Sequence, residues 1–300
     1  MRKTLRFGLV LLLAMVFVTG TASAAAPTTP TDPEGVIRAI FTALNAGDVK
    51  TAVSYVADDA VLVLYPPALA APESNVFQGK KAITDRWNFL AGSKDHMDLS
   101  NVKVDGNTVT WKVALTGDYF TGLGLDPLQA ELVGIVEDGK FKGYVWNMSK
   151  ESMARLAAAE ALAANKEAAR NWMKAWEAGD QKAMDGLLAK DFVNHTPPLP
   201  EVRADFIAAG VEGHDQFPTG KYTINNIIAE GDLVFVYGNF DGAHTGIPFN
   251  GIKASGAKAN FDYMLLFRMK DGKIAERWAV SDSVMGMLVP LGYQLVPPKP

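Results

Sequence analysis

The hexapeptide Ala43-Leu44-Asn45-Ala46-Gly47-Asp48 returns about 132 residues later as Ala175-Trp176-Glu177-Ala178-Gly179-Asp180. A recurrence at domain-sized spacing requires the chain to build one unit twice. In each copy the glycine suits a left-handed residue that ends a helix, and the aspartate suits the cap that begins the next. Upstream, Val36, Ile37, Ile40, Phe41 and Leu44 form an apolar helical stripe, as do Ala168, Ala169, Trp172, Met173 and Trp176. Downstream, Asp59-Ala60-Val61 answers to Asp191-Phe192-Val193 at the same offset.

Both halves then turn to strands. Val102, Val104, the Asp105-Gly106 turn, Val109, Trp111, Val113 and Leu115 alternate as a hairpin does. In the second half Leu233, Phe235 and Tyr237 alternate, followed by Phe261, Tyr263, Leu265 and Phe267, with Asp271-Gly272 turning into Ile274. The counterpart turn, Asp138-Gly139, stands at an offset one residue longer. Each half therefore reads as an α+β unit whose helices cover one face of a curved antiparallel sheet. The Ala-rich stretch at 151–164 reads as a helical linker, continuous with the first helix of the second unit.

The first 24 residues carry the three parts of a secretory signal: Arg2, Lys3 and Arg6, an apolar run from Gly8 to Val18, and small residues at Ala22 and Ala24. Cleavage after Ala24 predicts an exported protein, periplasmic or secreted, with an extended leader over 25–33. The apolar run is short for a membrane span and nothing comparable recurs, so no stable membrane insertion is expected. The chain has no cysteine, which removes disulfides, thiolate catalysis and cysteine zinc sites. Its net charge of −4 becomes more negative once the signal is lost, and nucleic acid is not an expected partner.

Chemistry is suggested near the C-terminus, where Trp278-Ala279-Val280-Ser281-Asp282 places a lone carboxylate on the same strand face as Trp278 and Val280. An aspartate among apolar neighbours loses hydration that its ionised form needs, and becomes a usable proton acceptor. The alternative is a helix cap, because Asp282-Ser283 opens the segment toward Met287. His195, after Asp191-Phe192-Val193-Asn194, and His244, in the Gly242-Ala243-His244-Thr245-Gly246 turn, supply two further groups able to handle protons. His195 alternatively orients the loop before Thr196-Pro197-Pro198. The two histidines and Asp282 lack the spacing of a metal signature, and no metal is assigned. His96 and His214 read as surface residues. Tyr65, Trp111, Tyr119, Tyr144 and Trp146 suit either a pocket or the core of the first half.

The second half, over 165–296, resembles a SnoaL-like polyketide or ester cyclase domain of the nuclear-transport-factor-2-like superfamily. The resemblance rests on Val193-Asn194-His195, Gly231-Asp232-Leu233-Val234, Gly242 to Gly246, Asp271-Gly272-Lys273-Ile274, Trp278 followed by Asp282, and Leu291-Gly292. The first half, 34–150, resembles the same superfamily more broadly, through its helix pair, Gly79-Lys80-Lys81-Ala82-Ile83 and the Asp138-Gly139 hairpin. Departures in the second half are Thr219 after Phe217-Pro218, Pro290, and Arg277 before Trp278. In the first half Val63 takes the place of His195, and no carboxylate follows Trp146, so that copy reads as degenerate.

The resemblance implies two cones, each with helices packed on a bent sheet around a deep apolar pocket. It implies cofactor-free acid-base chemistry on a hydrophobic carbonyl compound, by aldol-type cyclisation or isomerisation. Asp282, His195 and His244 would carry the chemistry, and Trp278, Phe235, Tyr237, Tyr263 and Asn194 would contact the substrate. A non-catalytic carrier of a hydrophobic small molecule is the rival. The cones would pair through their sheets, as a pseudo-dimer within the chain or as a homodimer.

Overall fold

The computed structural model describes residues 30–66, 75–125, 127–294 and 296. The signal read over 1–24 and most of the leader lie outside them. The first unit begins with α1 (Pro33–Asn45) and α2 (Val49–Ser54), followed by β1 (Val56–Tyr65), β2 (Val76–Gln78) and α3 (Gly79–Gly92). The hairpin β3 (His96–Asp105) and β4 (Thr108–Thr116), the short α4 (Asp118–Gly122), β5 (Leu128–Glu137) and β6 (Lys140–Met148) complete it. The second unit repeats the plan: α5 (Lys150–Glu177), α6 (Gln181–Leu187), β7 (Leu188–Asn194), α7 (Arg203–Gln216), β8 (Lys221–Glu230), β9 (Leu233–Ala243), β10 (Lys258–Lys270) and β11 (Lys273–Ser281). A π-helical turn follows at Val284–Leu288.

The sheet orders are β2-β1-β6-β5-β4-β3 and β7-β11-β10-β9-β8. Apart from the short edge strand β2 they are the same arrangement. Each is antiparallel except for one parallel pair, β1 with β6 and β7 with β11, and each parallel pair carries a register shift. The repeated Gly-Asp pair performs the same task twice. Gly47 and Gly179 have φ of 71° and 62°, and the following aspartates accept from backbone N–H groups, Asp48 from Thr51 at 3.0 Å and Asp180 from Ala183 at 2.9 Å. In the turns Asp138-Gly139 and Asp271-Gly272 both residues have positive φ, the conformation that tight hairpins need.

Two cores result. In the first, the α1 stripe of Val36, Ile37, Ile40 and Phe41 packs with Trp87 of α3 against Trp111 and Phe141 of the sheet. In the second, Trp172 of α5 stacks on Phe206 of α7 at 5.8 Å, above Val234, Val236 and Phe267. Full burial of one such side chain contributes on the order of 1.5–3 kcal/mol, so the helices are held mainly by their apolar faces.

The helix α5 belongs to both units: Leu156 is buried in the first core, while Ala169, Trp172 and Met173 are buried in the second. Among the described residues each sheet pairs only within itself, and α5 packs against β5 of the first unit and against β8, β9 and β11 of the second. The continuous helix α5 joins the two units. No helix among the described residues is long and apolar enough to cross a membrane.

Candidate active site

The concave side of the second sheet, with α5, α7 and the loop after β7, encloses a cavity of about 590 Å³. Its walls are mostly apolar, from Trp172, Trp176, Phe217, Phe240 and Phe261, as small-molecule sites generally are. Polar groups on its wall include Arg277 of β11, Tyr263 of β10, Tyr222 of β8, His214 and Gln216 near the end of α7, and Glu177 at the end of α5.

Arg277 is the unusual member. It is only 8% exposed, its guanidinium lies 5.3 Å over the Phe206 ring, and Nη1 donates to Asn194 Oδ1 at 2.9 Å. Among the described residues it has no carboxylate partner. Burial pulls its pKa down to about 10, with the nearby Tyr222 hydroxyl opposing the shift. Asn194, 3% exposed, is itself held by Nδ2 donation to the carbonyls of Thr196, Leu199 and Pro200 at 3.0–3.2 Å. A buried cation supported by a neutral amide is a strong local field aimed at whatever occupies the cavity.

His214, which reads as a surface residue in the sequence, is half-buried on the cavity wall. Its Nδ1 lies 2.9 Å from the Glu177 carbonyl oxygen. A carbonyl only accepts, so Nδ1 carries the proton of the neutral ring and Nε2 keeps a free lone pair. The Glu177 carboxylate is otherwise engaged. Burial would push its pKa up, but Lys221 Nζ and the Tyr222 N–H, each donating at 2.8 Å, hold it below the usual range. Burial raises the Tyr222 and Tyr263 hydroxyls, so both stay protonated; Tyr263 donates to the Thr223 carbonyl at 3.2 Å.

Of the residues singled out in the sequence, Tyr263 lines the cavity and Asn194 stands directly behind it. The others lie elsewhere. Asp282 is exposed and absent from the cavity wall; its Oδ1 accepts from the Asp262 N–H at 2.7 Å. It shares a face with Trp278 as the alternation requires, but that face is the outer one. Side-chain capping does not occur either, since the turn that follows receives no side-chain cap bond. His195 is also on the outer side, stacked on Trp278 at 4.5 Å and bonded through Nε2 to Glu276 Oε2 at 2.7 Å. Arg268 completes that cluster, 2.9 Å from Glu276 and 5.9 Å over the Trp278 ring.

Phe235 and Tyr237 fall on the outer face too, with the Tyr237 hydroxyl donating to Asp262 at 2.8 Å; the inward residues of β9 are Val234, Val236 and Phe240. His244 is fully buried against Phe217, with Nε2 2.9 Å from the Ile247 carbonyl, and it is not part of the cavity wall. The two histidines and Asp282 therefore do not converge, and no group of three metal-ligating side chains occurs among the described residues. For the residues on the strands the physical reason is shared. A strand alternation identifies which residues share a face, but β9 and β11 carry apolar side chains on both faces, and only the helices decide which one is enclosed.

Residues 166–288 match the family model described as SnoaL-like polyketide cyclase, and residues 37–144 match that of a SnoaL-like domain. The chain is a tandem of two SnoaL-like domains. Both members are of the nuclear-transport-factor-2-like type, α+β, with open sheets. Solved structures similar to parts of the chain include three Streptomyces proteins. IdmH from Streptomyces antibioticus is 27% identical, with 43% of this chain and 99% of that one covered and a TM-score of 0.38. AclR from Streptomyces galilaeus is 25% identical, with coverage of 46% and 91% and a TM-score of 0.41. TsrD from Streptomyces laurentii is 24% identical, with coverage of 43% and 96% and a TM-score of 0.39. No curated protein matches the sequence.

Proposed function

We propose that the C-terminal SnoaL-like domain takes up a hydrophobic carbonyl compound and performs proton-transfer chemistry on it, an isomerisation or an aldol-type ring closure, without an organic cofactor. The observation that carries this reading is the buried Arg277 guanidinium on the wall of an otherwise aromatic cavity. Such a donor stabilises the oxygen of a carbonyl most when negative charge develops on it, which favours the enolate over the ketone.

In this scheme the free Nε2 of His214 takes the proton from the carbon beside the carbonyl, and the C–H electron pair moves into the enolate, whose oxygen faces Arg277. For isomerisation the imidazolium returns the proton at a different carbon. For ring closure the enolate carbon attacks an internal carbonyl and the resulting alkoxide receives the proton. General-base help of this kind is worth roughly a hundred- to ten-thousandfold, and loss of one oxyanion donor roughly a hundred- to a thousandfold. The proton-acceptor role read for Asp282 in the sequence passes here to His214, because His214 is on the cavity wall and Asp282 is not.

The test is turnover of an activated hydrophobic dicarbonyl compound by the purified mature chain. Arg277→Met and His214→Gln are expected to lower kcat by at least about a hundredfold, while Asp282→Asn keeps it. Loss of turnover in Asp282→Asn with activity retained in His214→Gln would return the role to Asp282. A second reading, a carrier that binds such a compound without converting it, is favoured by the engagement of Glu177 with Lys221 and Tyr222, which leaves no free carboxylate among the described residues on the cavity wall. Saturable binding with no turnover from any form selects it. Export is part of the proposal, and a mature protein whose mass begins at Ala25 supports it.

A further inference from the structure

The N-terminal domain, which lacks counterparts of the residues singled out in its partner, encloses a cavity of its own, about 780 Å³. Met97, Leu115 and Trp146 of the sheet, Phe89 and Leu90 of α3, and Leu156 of α5 give it apolar walls. The ionisable side chains that line it, beside Tyr119, Tyr144 and Glu160, include Arg86 and Asp95, which are not joined in an ion pair. Arg86 of α3 is half-buried, with its guanidinium 5.4 Å over Phe89 and 5.9 Å over Phe77, and among the described residues it makes no hydrogen bond or ion pair. Asp95 is half-buried in the loop between α3 and β3, its carboxylate lying against Gly117, where a Cβ would collide with it. Burial raises the Asp95 carboxyl, against the opposing pull of the Ser93 hydroxyl and the Arg86 charge, and lowers the Arg86 guanidinium, against that of Tyr144 and Asp95, so desolvation opposes the charge on both.

A hydrogen bond on the cavity wall, from the Tyr119 hydroxyl of α4 to Glu160 Oε1 of α5 at 2.7 Å, ties the linker helix to α4. The helix that starts the second domain thus forms part of the first domain's chamber. The volume is in the range that takes a drug-sized molecule, and the lining combines apolar walls with a small number of polar groups, the usual composition of a ligand site.

We infer that the N-terminal domain is a second ligand site, independent of the proposed chemistry of the C-terminal one, and that it takes a hydrophobic compound carrying an oxygen acceptor next to a hydroxyl, such as an enolised β-diketone or a β-hydroxy ketone. Arg86 donates to the carbonyl oxygen and Asp95 accepts from the hydroxyl. Such a ligand supplies a partner to each half-desolvated group at once, whereas a pure hydrocarbon supplies neither and a simple carboxylate repels Asp95.

Benzoylacetone, a hydrophobic β-diketone with a large enol fraction, serves as the probe in calorimetric titration of the full mature chain. Binding in the first domain is expected to weaken by at least about tenfold in Arg86→Met and in Asp95→Asn, and to be unchanged in Arg277→Met. Hydrogen exchange of the unmodified protein gives a readout that needs no variant: saturating probe should slow exchange in α3 and in the Ser93–Asp95 segment. Binding that only Arg277→Met removes, or absence of any protection in α3, overturns the inference whatever becomes of the C-terminal chemistry.

Discussion

Arg277 and Asn194 face each other across the parallel pair β7–β11 and are joined by a 2.9 Å hydrogen bond, with both residues more than nine-tenths buried. The amide is a hub: its oxygen receives the guanidinium and its nitrogen holds three carbonyls of the loop that closes the cavity. Removing it leaves several buried groups without partners at once. Asn194→Ala is therefore expected to destabilise the second domain by about 2–4 kcal/mol, more than deletion of an average hydrogen bond. Arg277→Met removes a buried charge and loses only one bond, so urea unfolding should show it close to wild type or more stable, even as ligand affinity is lost.

Asp95 has a pH signature. Because burial raises its folded-state pKa above the unfolded value of 3.8, the folded protein holds this proton more tightly than the unfolded chain. Its contribution to stability is fully present below the unfolded pKa and is lost as pH rises through the folded value. Asp95→Asn, which has no proton to lose, should raise Tm at pH 7 by about 2 °C. The difference from wild type should close below about pH 4. A constant difference from pH 3 to pH 8 would show that the carboxyl is not desolvated.

The two repeat glycines differ in a measurable way. Alanine at Gly47 has only the left-handed backbone to contend with, since no atom lies near its Cβ, and should cost about 1–2 kcal/mol. At Gly179 the added Cβ would also lie 2.8 Å from the His214 ring. Gly179→Ala is expected to cost more in thermal unfolding and to perturb His214 and ligand binding as well, whereas Gly47→Ala leaves the second cavity untouched.

The outer cluster of His195, Trp278, Glu276 and Arg268 provides the opposite control. Its polar contacts are partly exposed, and an exposed ion pair such as Arg268–Glu276 contributes about 0.2–1 kcal/mol. His195→Ala should shift stability by no more than about 1 kcal/mol and leave affinity for the hydrophobic ligand unchanged. A tenfold loss of affinity would place His195 in the ligand site.

Much of the architecture was readable from local chemistry. A Gly-Asp pair ends one helix and caps the next because glycine alone tolerates the left-handed conformation cheaply and aspartate can satisfy a free N–H. An Asp-Gly turn between alternating apolar runs makes a hairpin for similarly local reasons. The site was harder to read because of a single residue. Between the early helices and the last hairpin the repeat lengthens by one, so the counterpart of Arg277 is the buried Tyr144: Tyr144 pairs with Leu62 in β6–β1 as Arg277 pairs with Asn194 in β11–β7. Aligning Trp146 with Trp278 instead compares opposite faces, since one residue of slip turns every strand side chain over. Trp146 lines a cavity and Trp278 does not.

The amino-acid order by itself determined the duplication, the α+β plan of each copy and the places where helices stop and strands turn, because those depend on neighbours within a few positions along the chain. Which side of each sheet is closed off, and hence that Arg277, His214, Arg86 and Asp95 face cavities while Asp282, His195 and Trp278 face outward, was decided only when α3, α5 and α7 came down on one side of each sheet. Burial is a property of elements brought together from distant parts of the sequence, and where both faces of a strand are equally apolar no local pattern contains it.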